Sequence, residues 1–398
     1  MKKLLEGIRV LDVTQAYSGP FCSMHLADHG AEVIKVESIQ GEQSRLWAPF
    51  KNGYSGYFAY INRNKKGLAV DLKTEEGKEI LRRLIKESDV LVENFKVGTF
   101  ARLGFSYEKI KEINSRIIYA SVSGFGLKGP MAERACYDIV AQAESGMMSL
   151  CGYEDLDPIK VGPSIADSYS GTYLALGIMM ALFDRERTNE GHRIDVSMLD
   201  TMFSVMEHNV MIYTMTGEVP IRHGNAGLNS PPWDSFHAKD GMFVVGCGTE
   251  KFWQSLCDVM GREDLKTDPR YATMKARSKH YIGDLKDIIE NWSSNKTLDE
   301  LEESFNGAEI PFGRIRNIAE CTEMEQIKKR NMLWTVFDPG ANDDIVMPGS
   351  PIKVKGEDDN ISKAAPTIGQ DNDSILRELA GYSEKEIEKM KTENIIAG

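Results

Sequence analysis

Short apolar runs alternate with longer amphipathic stretches through the first hundred residues, the pattern of a parallel α/β sheet. Residues 8–13 read as a buried strand, 19–29 as a helix opened by Pro20, and 32–37 as the next strand, which makes one βαβ unit. The pattern continues with a strand at 67–72, a helix at 74–87, a strand at 90–93, a helix at 99–113 and a strand at 117–123. Glu75 and Glu76 give the helix at 74–87 an acidic first turn that suits its dipole. From 138 to about 187 the chain is rich in Gly, Ser, Met and Ala, with two helical patterns flanking a loop at 151–163. An apolar, Met-rich helix is predicted over 195–215, and residues 218–232, rich in Gly, Asn and Pro, read as a linker. A strand at 241–246, helices at 252–260 and 282–292 and an element beginning at 310–315 then suggest a second, smaller domain over roughly 225–325. Residues 340–372 are loop-rich, and a charged helix at 383–394 is expected to dock through Ile387 and Met390.

Composition narrows the class. The 398 residues are 41% hydrophobic and 27% charged, enough apolar material for a sizeable core, which excludes wholesale disorder. A net charge of −12 argues against nucleic acid as the main partner but leaves room for a local basic patch around a phosphorylated ligand. The N-terminal lysines are followed by no apolar signal core, and the longest apolar run is about half a bilayer span, so a cytoplasmic protein without a membrane partner is expected. Six cysteines without a CxxC pair fit reduced structural thiols, and neither a metal site nor a P-loop, HExxH or GxSxG motif is present. The Gly246-Cys247-Gly248-Thr249 turn lacks the third glycine of a dinucleotide fingerprint.

One carboxylate stands out. Asp167 follows the Gly162-Pro163 loop and precedes the apolar helix expected at 172–183. A helix N-terminus holds a carboxylate ionised through its dipole and free N–H groups, the state needed for nucleophilic attack; a plain N-cap gives the same spacing.

Eight ordered segments extend the picture: LDVTQAYSGP (11–20), LADHGAEVIKVE (26–37), NRNKK (62–66), VENF (92–95), SVSGFG (121–126), YDIVAQ (137–142), VGPSIADSYSG (161–171) and RIDVSM (193–198). In this order they resemble the class III CoA-transferases over nearly the whole chain. The resemblance implies a large Rossmann-like domain with a parallel sheet, built from 1–217 and 326–398, a linker at 218–232, and a smaller α/β domain at 233–325. It also implies a homodimer of two interlocked chains.

Asp167 then falls on the catalytic aspartate that forms a mixed anhydride with the acyl group of a CoA thioester, and Asp138 on a second active-site carboxylate. Gly246 and Gly248 fall on a glycine-rich loop that covers the site, although a plain strand-to-helix turn would look the same. Gln15 and Ala16 fall on a loop over the thioester, while Asn94, Phe95, Arg102 and Leu103 match positions lining the CoA site. Lys65 and Lys66 are supplementary candidates for the phosphates. The pattern departs from the family at Ser38 and Ala135, where relatives carry basic residues, so Arg45 or the lysines are the expected substitutes. No permanently bound cofactor is implied; CoA thioesters and carboxylic acids are the substrates.

Within the family the chain is most similar to the branch acting on 2-hydroxy acids of the 2-hydroxyisocaproate type in leucine fermentation, with isocaproyl-CoA as donor. Phenyllactate or carnitine as acceptor is the alternative, and the methionines at 147–148 and 179–180 are candidate acyl-pocket walls. An acyl-CoA racemase shares the fold but needs a histidine where this chain has Tyr137.

Overall fold

Six short strands, β1 (Arg9–Asp12), β2 (Glu32–Glu37), β3 (Lys66–Ala69), β4 (Val90–Glu93), β5 (Ile118–Ser123) and β6 (Arg193–Ser197), pair side by side as one sheet in the order β3-β2-β1-β4-β5-β6. Every pairing in it is parallel. This is seen in a computed structural model that describes residues 3–397. Neighbouring residues of each strand point to opposite faces. Leu11, Ile34, Leu68 and Leu91 pack one way, against Ile80, Leu81, Leu84 and Ile85 of the helix Glu75–Lys86 and against Ile375 and Ile387 near the C-terminus. Val10, Val33, Val92 and Ile118 pack the other way. There they meet Cys22 and Leu26 of helix α1 (Ser18–Asp28) and Leu174 and Ile178 of a second helix, Ile165–Thr188. Both faces are covered, which is why these strands are continuous apolar runs rather than alternating ones.

Strand order reverses between β1 and β4, so the loops leaving their carboxyl ends diverge and open a crevice there. The C-terminal helix docks as expected, with Ile387 and Met390 buried. Two predicted helices differ. The stretch 99–113 forms two short helices, Thr99–Arg102 and Tyr107–Ile113, because Gly104 (φ 105°) interrupts it and Ser106 caps the second. Asp195 lies in β6 rather than in a helix, and the apolar segment after it divides into Met198–Ser204 and His208–Thr216. Backbone pairing with β5 decided this, since the parallel ladder from Tyr119 to Ser123 takes up Arg193–Ser197 as an edge strand and outweighs a helical pattern.

The chain divides into two compact units, one of Met1–Met147, Lys160–Met215 and Glu325–Gly398, the other of Met148–Ile159 and Thr216–Met324. The sheet above belongs to the first. The second holds a three-stranded antiparallel sheet, Trp233–His237, Met242–Gly246 and Phe312–Arg314, over a core that includes Phe236, Phe243, Trp253, Tyr281 and Phe305. Residues 148–159, which the sequence pattern leaves with the large body, group here. The Gly224 N–H donates to the Gly152 carbonyl at 2.8 Å, and the Arg222 guanidinium donates to the carbonyls of Tyr153, Glu154 and Leu156. Among the described residues no helix is long and apolar enough to cross a membrane.

Candidate active site

The helix carrying Asp167 starts seven residues earlier than its apolar pattern predicts. Labelled α3 below, it runs over Ile165–Thr188, and α2 is the helix Asp138–Glu144. Small and polar residues fill the first turns of α3 because they lie against α1: a Cβ added to Gly171 would come within 2.5 Å of the Ser18 carbonyl. That close approach brings Tyr17 and Ser18 to Asp167.

Asp167 is not the N-cap. Ser164 holds that position without a side-chain capping bond. The cap comes from α2 instead, where Asp138 Oδ1 accepts from the backbone N–H groups of Ala166 (2.7 Å) and Asp167 (3.3 Å). Its other oxygen accepts from Gln142 Nε2 at 2.6 Å, and Gln142 Oε1 accepts from the Val161 N–H at 2.9 Å. Asp138 and Gln142 are both buried. The two side chains thus tie the start of α3 and the loop before it to α2. Asp138 orients the start of α3, and its charge acts on Asp167 itself.

That charge matters because Asp167 is poorly solvated. Burial first, and then the negative Asp138, push its carboxyl up to about 7, while a hydrogen bond with Ser18 acts in the other direction. Among the described residues no basic side chain figures in the groups acting on it. The Tyr17 hydroxyl accepts from Ser168 Oγ at 3.3 Å, and burial holds Tyr17 above its ordinary range, so it stays a protonated donor. A row of aromatic rings flanks the carboxylate. Tyr17 stacks on Phe21 (5.2 Å between centroids) and tilts against Tyr57 (5.7 Å), which meets Trp47 edge-on (5.2 Å). The charge of Asp167 is felt by both Tyr17 and Tyr57. The neighbouring Cys136 thiol is pushed up to about 11 by burial, too high for a thiolate nucleophile near neutrality.

A second group of residues gathers at the crevice between β1 and β4. Gln15 N–H donates to Asn94 Oδ1 (2.8 Å), and Asn94 Nδ2 donates back to the Gln15 carbonyl (2.7 Å). A cavity of about 170 Å³ opens beside them, lined by Gln15, Ser38, Lys73, Phe95 and Leu103 among others. Phe95 extends a stack through Phe100 (5.3 Å) to Phe105 (5.1 Å). Arg102 is exposed and its guanidinium donates to Thr99 Oγ1.

Three basic candidates from the sequence are committed elsewhere. Lys65 is fully buried, and its ammonium donates to Asp12 Oδ2 (2.9 Å), Asn62 Oδ1 (2.9 Å) and the Pro20 carbonyl (3.1 Å), which uses all three protons. It is a structural cation, with no proton left for a phosphate. Arg45 is bound in a two-pronged pair with Glu37 at 2.8 and 2.6 Å, and Lys66 pairs with Glu32. Lys73, exposed at the rim of the cavity beside Ser38, has no ion pair among the described residues.

Gly246 and Gly248 lie in the second unit, at the end of the strand Met242–Gly246 and in the turn that leads to Thr249, the N-cap of the next helix. The Trp233 indole lies against both: a Cβ would come within 3.2 Å of it at Gly246 and 3.6 Å at Gly248. Between them Cys247 is buried, its thiol pushed up to about 12.

Sequence reasoning missed Tyr17, Ser18, Tyr57, Gln142 and Lys73. Tyr17 and Ser18 had a usable signal, because they directly follow the Gln15-Ala16 segment and open a helix. Gln142 closes the YDIVAQ segment, four residues after Asp138, but its link to Val161, 19 residues away, leaves no local signal.

Comparison with known proteins adds an independent line. The family model CoA-transferase family III matches residues 5–372. The chain is 37% identical to acetyl-CoA:oxalate CoA-transferase of Acetobacter aceti, over 96% of this chain and 97% of that one. It is 36% identical to succinyl-CoA:mesaconate CoA-transferase of Haloarcula hispanica, over 94% and 96% of the two chains. A CAIB/BAIF family protein from Brucella suis superimposes with a TM-score of 0.84 at 34% identity, covering 95% of this chain and all of the other.

Proposed function

We propose, from the premise that the chain belongs to CoA-transferase family III, that this enzyme moves CoA from an acyl-CoA to an apolar 2-hydroxy acid of the 2-hydroxyisocaproate type, through a covalent anhydride on Asp167. The Asp167 carboxylate attacks the thioester carbonyl, the C–S bond breaks, and CoA leaves as thiolate. The thiolate attacks the aspartyl carbonyl of the anhydride, releasing the donor acid and leaving an aspartyl-CoA thioester. The acceptor carboxylate attacks that thioester, forming a second anhydride, and the thiolate takes the new acyl group and frees Asp167. One thioester replaces another, so no nucleoside triphosphate enters. Ser18 and the Tyr17 hydroxyl, beside Asp167, supply donors for the charge that develops on the carbonyl oxygens.

The observation that carries the acceptor class is the pairing of an aromatic row with the absence of a basic group among those acting on Asp167. A dicarboxylate acceptor brings a second charge that needs a counter-ion, whereas a branched or aryl side chain packs on Tyr17, Tyr57 and Trp47. Met179 and Met180 do not take part in this wall: they lie more than three turns along α3 from Asp167, on its exposed side. On the CoA side, Gln15, Asn94, Phe95 and Leu103 shape the cavity, and Arg102 with Lys73 supplies the phosphate contacts that Ser38 and Ala135 lack. The test is an acceptor screen with isocaproyl-CoA as donor. We expect 2-hydroxyisocaproate or phenyllactate to exceed lactate, carnitine and oxalate in kcat/KM by about tenfold, the worth of a few buried methylenes. Oxalate or carnitine as the preferred acceptor overturns the assignment.

The enzyme acts as a homodimer of interlocked chains. Tyr169, Tyr173, Leu176, Met180 and Phe183 recur at three- and four-residue spacing on α3, and all are two-fifths or more exposed. An apolar stripe of this length on a soluble chain marks an interface. Light scattering in dilute solution is expected to give twice the chain mass of 44.5 kDa, and a monomer there contradicts the dimer.

A further inference from the structure

The loop 14–16, between β1 and α1, has almost no backbone hydrogen bonds to other backbone; side chains hold it instead. Thr14 N–H donates to Asp12 Oδ1 at 3.0 Å, and the Thr14 carbonyl accepts from Lys35 Nζ. Gln15 is clamped through both its N–H and its carbonyl by Asn94. Ala16 N–H donates to Glu42 Oε2 at 2.8 Å. Ala16 itself has φ 64°, in the left-handed region that residues with a Cβ seldom occupy.

Two of these holders are ions out of water. Lys35 is fully buried and Glu42 nearly so, and Lys35 Nζ lies 3.8 Å from Glu42 Oε1, which also accepts from Ser44 Oγ. Burying both charges carries a desolvation cost that apolar residues in the same places would avoid. A strained residue persists only where its surroundings over-determine it, and such arrangements concentrate at functional sites. The loop they hold is placed accordingly. Gln15 and Glu42 both line the cavity at the strand-order reversal, while the next two residues, Tyr17 and Ser18, stand at Asp167.

We propose that Glu42 and Lys35 are positioning residues of the transferase reaction: together they fix loop 14–16 in the left-handed turn that joins the CoA-side cavity to the nucleophile. Glu42 fixes the Ala16 end and Lys35 the Thr14 end. Neither touches the reacting atoms. Their effect runs through the backbone to Gln15 on one side and to Tyr17 and Ser18 on the other. The proposal rests on the acyl-CoA site described above, and the parent chain's exchange with isocaproyl-CoA and its best acceptor serves as the reference.

The experiment compares Glu42→Ala, Lys35→Met and the double variant Glu42→Ala with Ala16→Gly. Loss of a hydrogen bond to a charged group predicts a rise of about tenfold in KM for the acyl-CoA in Glu42→Ala, with kcat also reduced. Lys35→Met is expected to move both parameters in the same direction. Glycine adopts the left-handed turn without strain, so Ala16→Gly in the Glu42→Ala background is expected to recover about fivefold in KM. If Glu42→Ala fails to fold, Glu42→Gln, which keeps an acceptor for Ala16 but removes the charge facing Lys35, is expected to raise KM about threefold. A purely structural role gives a different result: a lower melting temperature and less active protein, with KM of the folded fraction unchanged and no recovery by Ala16→Gly. That result overturns the proposal.

Discussion

Asp167→Asn is expected to lower acyl exchange by about 10³-fold or more while the protein folds and binds CoA, because removing a covalent nucleophile eliminates a step rather than weakening it. The substitution is close to isosteric, and Asp167 carries no capping bond that the helix would lose, since Asp138 caps α3. Its charge is unfavourable where it sits: burial and Asp138 both oppose it. The variant is therefore expected to melt no lower than the parent near neutral pH, while isotope exchange between acyl-CoA and free acid disappears. Mass spectrometry after acyl-CoA exposure should show an acyl or CoA adduct on the parent peptide containing Asp167 and none on the variant. Exchange at the parental rate in Asp167→Asn would eliminate the anhydride route.

Asp138→Asn is expected to shift the acid limb of the pH–rate profile downward. In the parent, burial and Asp138 push the Asp167 carboxyl up to about 7, so on the proposed route kcat/KM should fall as the pH drops through that value. At pH 6 only about one tenth of such a group is ionised. The sign follows from the two causes of the shift. Burial opposes the charged form, and the negative Asp138 opposes it further; replacing that carboxylate by an amide removes the second effect and leaves the first. The midpoint therefore moves down, and the variant gains activity relative to the parent about one pH unit below neutrality. The amide of this variant keeps an oxygen for the N–H groups of Ala166 and Asp167, so the cap survives, while its NH2 can no longer accept from Gln142 Nε2 and that bond is lost. Asp138→Ala loses both cap and charge and is expected to cost about 1 kcal/mol of stability as well. A midpoint that stays put or rises in Asp138→Asn would remove Asp138 from control of the Asp167 charge.

Both results turn on Asp138, which the linear motif marks without revealing its use. Its position in YDIVAQ suggested a carboxylate near the reaction; the structure shows it acting on α3 across 28 residues of sequence. Lys65 makes the opposite point. Beside Lys66 in an exposed-looking NRNKK segment it resembled a phosphate contact, yet Asp12, 53 residues away, holds it in the core. Nothing in the run 62–66 distinguishes a lysine that faces solvent from one that faces Asp12, since side chains alternate in direction along a strand entry.

The amino-acid order determined what depends on neighbours a few residues apart. The buried strands at the centre of the sheet follow from runs of Val, Ile and Leu, the helix Glu75–Lys86 from its acidic first turn, and the place of Asp167 near a helix start from the Gly-Pro loop ahead of an apolar run. Tertiary structure decided what depends on burial and on distant partners. It extended α3 back over a polar first turn, gave the cap to Asp138, withdrew Lys65 and Arg45 from the ligand, and set Tyr17, Ser18 and Lys73 in place. The physical reason is that periodicity is a local property, whereas a group's charge state and free hydrogen-bonding capacity are fixed by which remote residues exclude water from it. Asp167 shows both halves: its place was readable, and its poise near neutrality exists only in the folded chain.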